Sequence, residues 1–179
     1  MINEQDVLKI VTQRLESAGI RYMVTGSIAA NFYTIPRMTR DIDIIIEVGE
    51  EKVEELFSLF SNDFYVDRDV MRHALQSKGM FNIIHREGVV KVDFIVRKDS
   101  EYRRVEFERR RSIEFEGGRI LVASPEDLIL SKLDWAKDSR SEMQIRDVKN
   151  LLQTPGLDRR YILKWVAKLG LQEVYQEAN

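Results

Sequence analysis

Apolar residues recur at helical spacing from the start of the chain. Val7, Leu8, Ile10, Val11 and Leu15 share one side of a helix running from about Glu4 to Ser17, which Gly19 is placed to end. The spacing then changes. IRYMVTG is a short run of strand formers that breaks at Gly26, and SIAANFY starts a helix for which Ser27 is the expected N-cap. Past Pro36, the isoleucine-rich DIDIIIEV predicts a buried strand, and EEKVEELFSLF returns to helical periodicity. GMFNIIHREGVVKVDFIVRK predicts two strands joined at Glu87-Gly88. Val90, Val92, Phe94 and Val96 lie on one side of the second strand and Asp93 on the other.

The second half is more helical. Ser100 to Arg111 is strongly charged, with Arg103, Arg104, Arg109, Arg110 and Arg111 as a dense basic cluster, and it reads as a solvated helix. SIEFEGGRILVA has the alternation and the Gly117-Gly118 pair of a hairpin. SPEDLILSKLDWAK begins a helix, with Ser124 as cap and Pro125 at its first position. EMQIRDVKNLLQ and DRRYILKWVAKLG continue the helical pattern on either side of Pro155-Gly156. These segments predict an α/β (α+β) protein: a mixed β-sheet flanked by helices over 1–123 and a C-terminal helical subdomain over 124–179.

Composition narrows the class. With 179 residues, 44% of them hydrophobic, the chain can bury one substantial core but not two large ones. No apolar run approaches the roughly 20 residues that span a bilayer, and MINEQDVLKIV lacks a signal-peptide pattern, so no membrane association and a cytoplasmic location are expected. The absence of cysteine excludes thiolate ligands, so any metal must use oxygen or histidine. A net charge of -2 argues against a protein that coats nucleic acid nonspecifically.

Within that frame the acids stand out. Asp41 and Asp43 are two apart in a predicted strand, which puts both carboxylates on one face, and close carboxylates call for a neutralising cation. Asp93 adds a third from the otherwise apolar VVKVDFIV, where a charge is expensive unless paired or metal-bound. Three carboxylates allow a two-metal site for magnesium or manganese, with Asp93 also able to act as general base. Gly26-Ser27, between strand and helix, offers a backbone cradle and a hydroxyl to phosphate. Taken singly, the Asp pair fits a solvent-facing sheet and the Gly-Ser pair fits an ordinary turn.

VTGSIAANFY, RMTRDIDIII and VVKVDFIV, in that order, resemble the DNA polymerase beta-like nucleotidyltransferase superfamily. The Arg37-Thr39-Asp41-Ile42-Asp43 pattern and the downstream SPEDLILSKLDWAKDSRSEMQIRDVKNLL are similar to a small bacterial branch that includes AbiEii-type toxins. The resemblance covers about residues 20 to 150. It implies the nucleotidyltransferase fold, with Lys132 reaching the nucleotide phosphates. Lys132, Arg140 and Asp147 also fit the surface of a helical pair. Arg37 and Arg40 flank the acidic strand, where they either neutralise triphosphate or form loop ion pairs. Neither His73 nor His85 has ligand-like spacing, and Trp135 and Trp165 fall in helical apolar patterns expected to be core.

The expected activity is transfer of a nucleoside monophosphate from a nucleoside triphosphate to a hydroxyl, with release of pyrophosphate. The acceptor is open: an RNA end, a protein hydroxyl or a small molecule. The alternative is a catalytically silent module that binds nucleotide or a protein partner, as a regulatory or toxin-antitoxin component.

Overall fold

The structure is a computed structural model and describes residues 2–39 and 41–179. Helix α1 (Glu4–Ser17) is capped by Asn3, whose side chain accepts from the backbone of Gln5 and Asp6, and it buries Val7, Leu8, Val11 and Leu15. Strand β1 (Arg21–Thr25), the short helix α2 (Gly26–Ala30) and strand β2 (Asp41–Glu47) follow. After a 3-10 turn at Glu50–Lys52 come α3 (Val53–Phe60), β3 (Phe64–Val66), α4 (Arg68–Ser77), β4 (Met80–His85) and β5 (Lys91–Val96). The chain continues through α5 (Glu101–Glu108), β6 (Arg111–Phe115) and β7 (Gly118–Val122). It ends in helices α6 (Pro125–Ser139), α7 (Glu142–Leu151), α8 (Arg159–Leu169) and α9 (Gln172–Ala178).

The strands form one mixed sheet in the order β3-β4-β5-β2-β1-β7-β6. Neighbours run antiparallel except at β2/β5 and β1/β7. Because residues directly opposite share a face, the register sorts the side chains. One face of the central strands carries Ile42, Ile44, Ile46, Val92, Phe94 and Val96, all buried. Phe60 of α3 closes on Phe94 at a centroid distance of 5.6 Å, and Phe81 on the same ring at 5.1 Å, so aromatic packing seals this side. The other face presents Asp41, Asp43 and Asp93.

Residues 61–79, which carry β3 and α4, had no assignment from the sequence. Their signals are local: Asp67 caps α4 by accepting from Asp69 and Val70, and Met71, Ala74 and Leu75 form its buried side. At β6–β7 the turn falls on Glu116 and Gly117, with φ of +48° and +76°, one residue earlier than the Gly117-Gly118 pair predicted. Two successive positive φ values match the twist of a two-residue hairpin, and glycine takes the second without strain.

The arginine-rich segment is a helix, but it is not a freely solvated one. Glu106, Glu126 and Asp127 are essentially inaccessible and collect its cations. Arg103 pairs with Glu106 at 2.9 Å and with Asp134 at 3.1 Å, Arg109 reaches Asp127 at 3.1 Å, and Arg111 reaches Glu126 at 3.3 Å. Ser124 and Tyr161 both donate to the Asp127 carboxylate at 2.6 Å. Buried carboxylates need such partners, so the cluster fastens α6 to α5 and α8. Ser124 and Pro125 open α6 as expected, with Ser124 accepting from the Asp127 backbone.

The tryptophans divide. Trp165 is buried against Tyr102 and Tyr161, whereas Trp135 is 68% exposed, which corrects its assignment to the core. Beyond its first turn α6 buries Leu128, Ile129, Leu130, Lys132, Leu133 and Ala136, and Trp135 falls outside that covered side. No helix among the described residues is long and apolar enough to cross a membrane.

Candidate active site

Three cross-strand relationships assemble the site. Thr25 of β1 lies opposite Asp43 of β2, Asp43 lies opposite Asp93 of β5, and Asp93 lies opposite Asn82 of β4. One step along the strands, Asp41 lies opposite Lys91. The period of two therefore places Asp41, Asp43, Asp93 and Lys91 on one patch of a single sheet face.

The neighbourhood is unfavourable for three anions. Burial, followed by the charges of Asp93 and then Asp41, pushes the Asp43 carboxyl up to about 6, with Lys132 and Lys91 opposing. Lys91 answers part of that charge: its Nζ stands 2.8 Å from Asp93 Oδ2 and 3.6 Å from Asp41 Oδ2. The hydrogen bond that Lys91 donates to Asp93 is the leading cause that raises the Lys91 pKa. Sequence reasoning missed this lysine, although its spacing of two from Asp93 marks the shared face.

Gly26 explains how closely β1 and β2 bring the turn to the acids. Its φ is +65°, and a Cβ there would lie 2.1 Å from Asp43 Oδ2, so any side chain would displace the carboxylate. Ser27 is not the helix cap. Thr25 holds the extended capping position, because the left-handed Gly26 turns the chain before Ser27 is reached. Ser27 Oγ instead accepts a hydrogen bond from Arg37 Nη2 at 2.5 Å.

Arg37 continues into the helical layer. Its Nε and Nη2 donate to the two carboxylate oxygens of Asp147 at 3.2 and 3.1 Å. Lys132, only 4% exposed, donates to Asp147 at 2.8 Å and to Gln144 at 3.1 Å. Burial alone would raise Asp147, but the hydrogen bonds from Arg37 and Lys132 outweigh it and hold its pKa below the usual carboxylate value. Two cations thus share one anion beside Ser27, leaving a net positive patch next to the acids. A cavity of about 210 Å³ lined by Asn31, Thr34, Pro36, Arg37, Arg146 and Asp147 adjoins it.

Of the residues singled out from sequence, Asp41, Asp43, Asp93 and Gly26 converge directly. Ser27 connects through Arg37 and Asp147 to Lys132. Arg140 does not join them, pairing instead with Glu173 and Glu177 of α9 at 3.6 Å each. Arg40 lies outside the described residues. His85 is a core residue, accepting from the Gly88 backbone and packing edge-on to Phe64.

The donor chemistry suits a divalent ion: three carboxylates on one face, one of them held high by burial and then by its neighbours' charge. As the side chains stand, no group of three or more His, Asp or Glu among the described residues forms a ready metal cluster. Lys91 bridges Asp41 and Asp93 instead.

Comparison with known proteins agrees with this fold. An antigenic nucleotidyltransferase-like protein from Paracoccidioides brasiliensis superposes with a TM-score of 0.60 at 19% identity, over 97% of this chain and 90% of that one. A candidate nucleotidyltransferase from Thermotoga maritima gives 0.55 at 18% identity, over 79% and 92%. A lincosamide antibiotic adenylyltransferase with lincomycin bound gives 0.56 at 15% identity, over 85% and 98%. At these identities the likeness shows a shared fold. No curated protein matches the sequence. The sequence profile of the family described as nucleotidyl transferase of unknown function (DUF2204) matches residues 4–174. A match over nearly the whole length settles the family: the chain belongs to these nucleotidyl transferases.

Proposed function

We propose that the protein transfers a nucleoside monophosphate from a nucleoside triphosphate to a hydroxyl acceptor at the Asp41, Asp43 and Asp93 patch. The observation that carries this reading is the contact of Gly26 with Asp43 while Asp43 faces Asp93 across β2 and β5. It sets the strand-to-helix turn against paired acids.

In this reading the acceptor oxygen bonds to the α-phosphorus, the α–β bridging P–O bond breaks, and pyrophosphate leaves. Asp93 takes the hydroxyl proton, because it lies at the edge of the patch nearest the exposed Asn82 side of the sheet. Gly26 leaves room for the Asp43 carboxylate beside the turn, and Ser27, held by Arg37, offers its hydroxyl to a phosphate oxygen. Lys132 and Arg37, half-neutralised by Asp147, face the developing charge on the leaving pyrophosphate. Asp41, Asp43 and Asp93 would hold magnesium or manganese as one ion or a pair, whose chemistry is to neutralise the triphosphate and make the acceptor hydroxyl more acidic. With no membrane span among the described helices and no cysteine in the sequence, we place the reaction in the cytoplasm.

The test is release of pyrophosphate from a triphosphate panel with magnesium, assayed against hydroxyl acceptors that include transfer RNA and antibiotics. The antibiotic arm is motivated by the fold shared with the lincosamide adenylyltransferase. Release that disappears in Asp43→Asn supports the reading, and equal release by the variant contradicts it.

The Lys91 bridge favours one second reading: a silent module that binds nucleotide or a protein partner, as in a toxin-antitoxin pair, using the lysine as its permanent counter-ion. Nucleotide affinity that is unaffected by magnesium and survives Asp41→Asn would select it.

A further inference from the structure

Lys91 is placed where a cation belongs. It projects from β5 onto the acid face, opposite Asp41 and two residues from Asp93. Its ammonium touches the carboxylates of both. Among the described residues, Asp41 has no other ion-pair partner within 4.0 Å, and neither does Asp93. Among the described residues, the other cations beside the patch, Lys132 and Arg37, are committed to Asp147.

Given the proposed metal-dependent reaction, on which this inference rests, we propose that Lys91 is a resident counter-ion. It occupies the acid patch in the metal-free protein and must leave Asp93 and Asp41 before a divalent ion binds, thereby weakening metal affinity. An ammonium bonded to these carboxylate oxygens takes up the lone pairs a divalent ion would coordinate, and its charge repels that ion. The lysine stem is long and its head half-exposed, with 37% of the side chain accessible, so it has room to swing into solvent. Its presence keeps three carboxylates tolerable on one sheet face when no ion is available. An orienting role predicts the opposite sign: if Lys91 served to aim Asp93 at the metal, removing it would loosen the site and weaken binding.

Mn2+ alone, without nucleotide, is the probe, with its free concentration read by electron paramagnetic resonance. Lys91→Met keeps the apolar stem and removes the charge. It is expected to bind Mn2+ about tenfold or more tightly than wild type, and Lys91→Arg to stay within about threefold of wild type. Thermal unfolding gives a second signal: Lys91→Met is expected to melt lower than wild type without Mn2+ and to gain more from its addition. A general loss of structure would weaken Mn2+ binding, so the gain is specific to the counter-ion role. Equal or weaker binding by Lys91→Met, with wild-type binding abolished in Asp43→Asn, overturns the counter-ion role while leaving the enzyme reading in place. Failure of both wild type and Lys91→Met to bind Mn2+ overturns the two together.

Discussion

Gly26 and Asp43 are in such close contact that a Cβ on the glycine would lie 2.1 Å from Asp43 Oδ2. The turn and the acid strand are therefore one unit, and the positive φ at Gly26 is the backbone feature that permits it. Gly26→Ala is expected to lose about 1–2 kcal/mol of stability from the left-handed conformation. Transfer should fall about 100-fold, since the displaced carboxylate moves by more than the reacting geometry tolerates. Denaturant unfolding and pyrophosphate release measure the two effects separately.

Asp43 also gives the protein a pH signature. Its folded pKa of about 6 lies above the ordinary 3.8, so the folded state holds the proton more tightly than the unfolded state. Stability from this group is full below about pH 4 and declines as pH rises through 6. Metal-free Asp43→Asn lacks this decline, and its stability relative to wild type should grow by about 1–3 kcal/mol between pH 4 and pH 7.5. Urea titrations across that range check the slope, and a constant difference between the two proteins would contradict it.

Asp147 holds two cations, and one of them is buried. Asp147→Ala strands Lys132, leaving Gln144 as its only hydrogen-bond partner among the described residues, and is expected to cost about 3 kcal/mol. Adding Lys132→Met should recover part of that loss but not transfer activity, because it also removes a charge proposed to face the phosphates. Melting temperature and pyrophosphate release, measured on the single and double variants, separate the contributions.

The tryptophans make a fold-level contrast. Trp165→Ala removes a 3% exposed ring packed on two tyrosines and is expected to cost about 3–5 kcal/mol. Trp135→Ala removes a largely solvated ring and should change stability by less than about 0.5 kcal/mol. Chemical denaturation of both variants checks this directly.

What was legible in the sequence followed from short-range periodicity. Alternation along DIDIIIEV and VVKVDFIV placed Asp41, Asp43 and Asp93 on one face, and strand pairing brought them together. The same alternation puts Lys91 on that face, but a strand lysine two residues from an acid reads equally as an ordinary surface charge until the pairing with Asp41 is known. Phe64–Val66 is a three-residue edge strand, too short for its alternation to register. The arginine segment read as solvated because its partners, Glu126 and Asp127, come from a later helix. Trp135 matched a helical apolar spacing, yet only packing against α7 and α8 decides which stripe of α6 is covered.

The most direct test of the account is a crystal structure with magnesium and a triphosphate that cannot be cleaved between its α- and β-phosphates. We predict a magnesium ion about 2.1 Å from carboxylate oxygens of Asp43 and Asp93, bridging to the phosphates beside Gly26, with the Lys91 ammonium displaced from both acids. Magnesium and triphosphate bound elsewhere, with Lys91 still joined to Asp93, would contradict it.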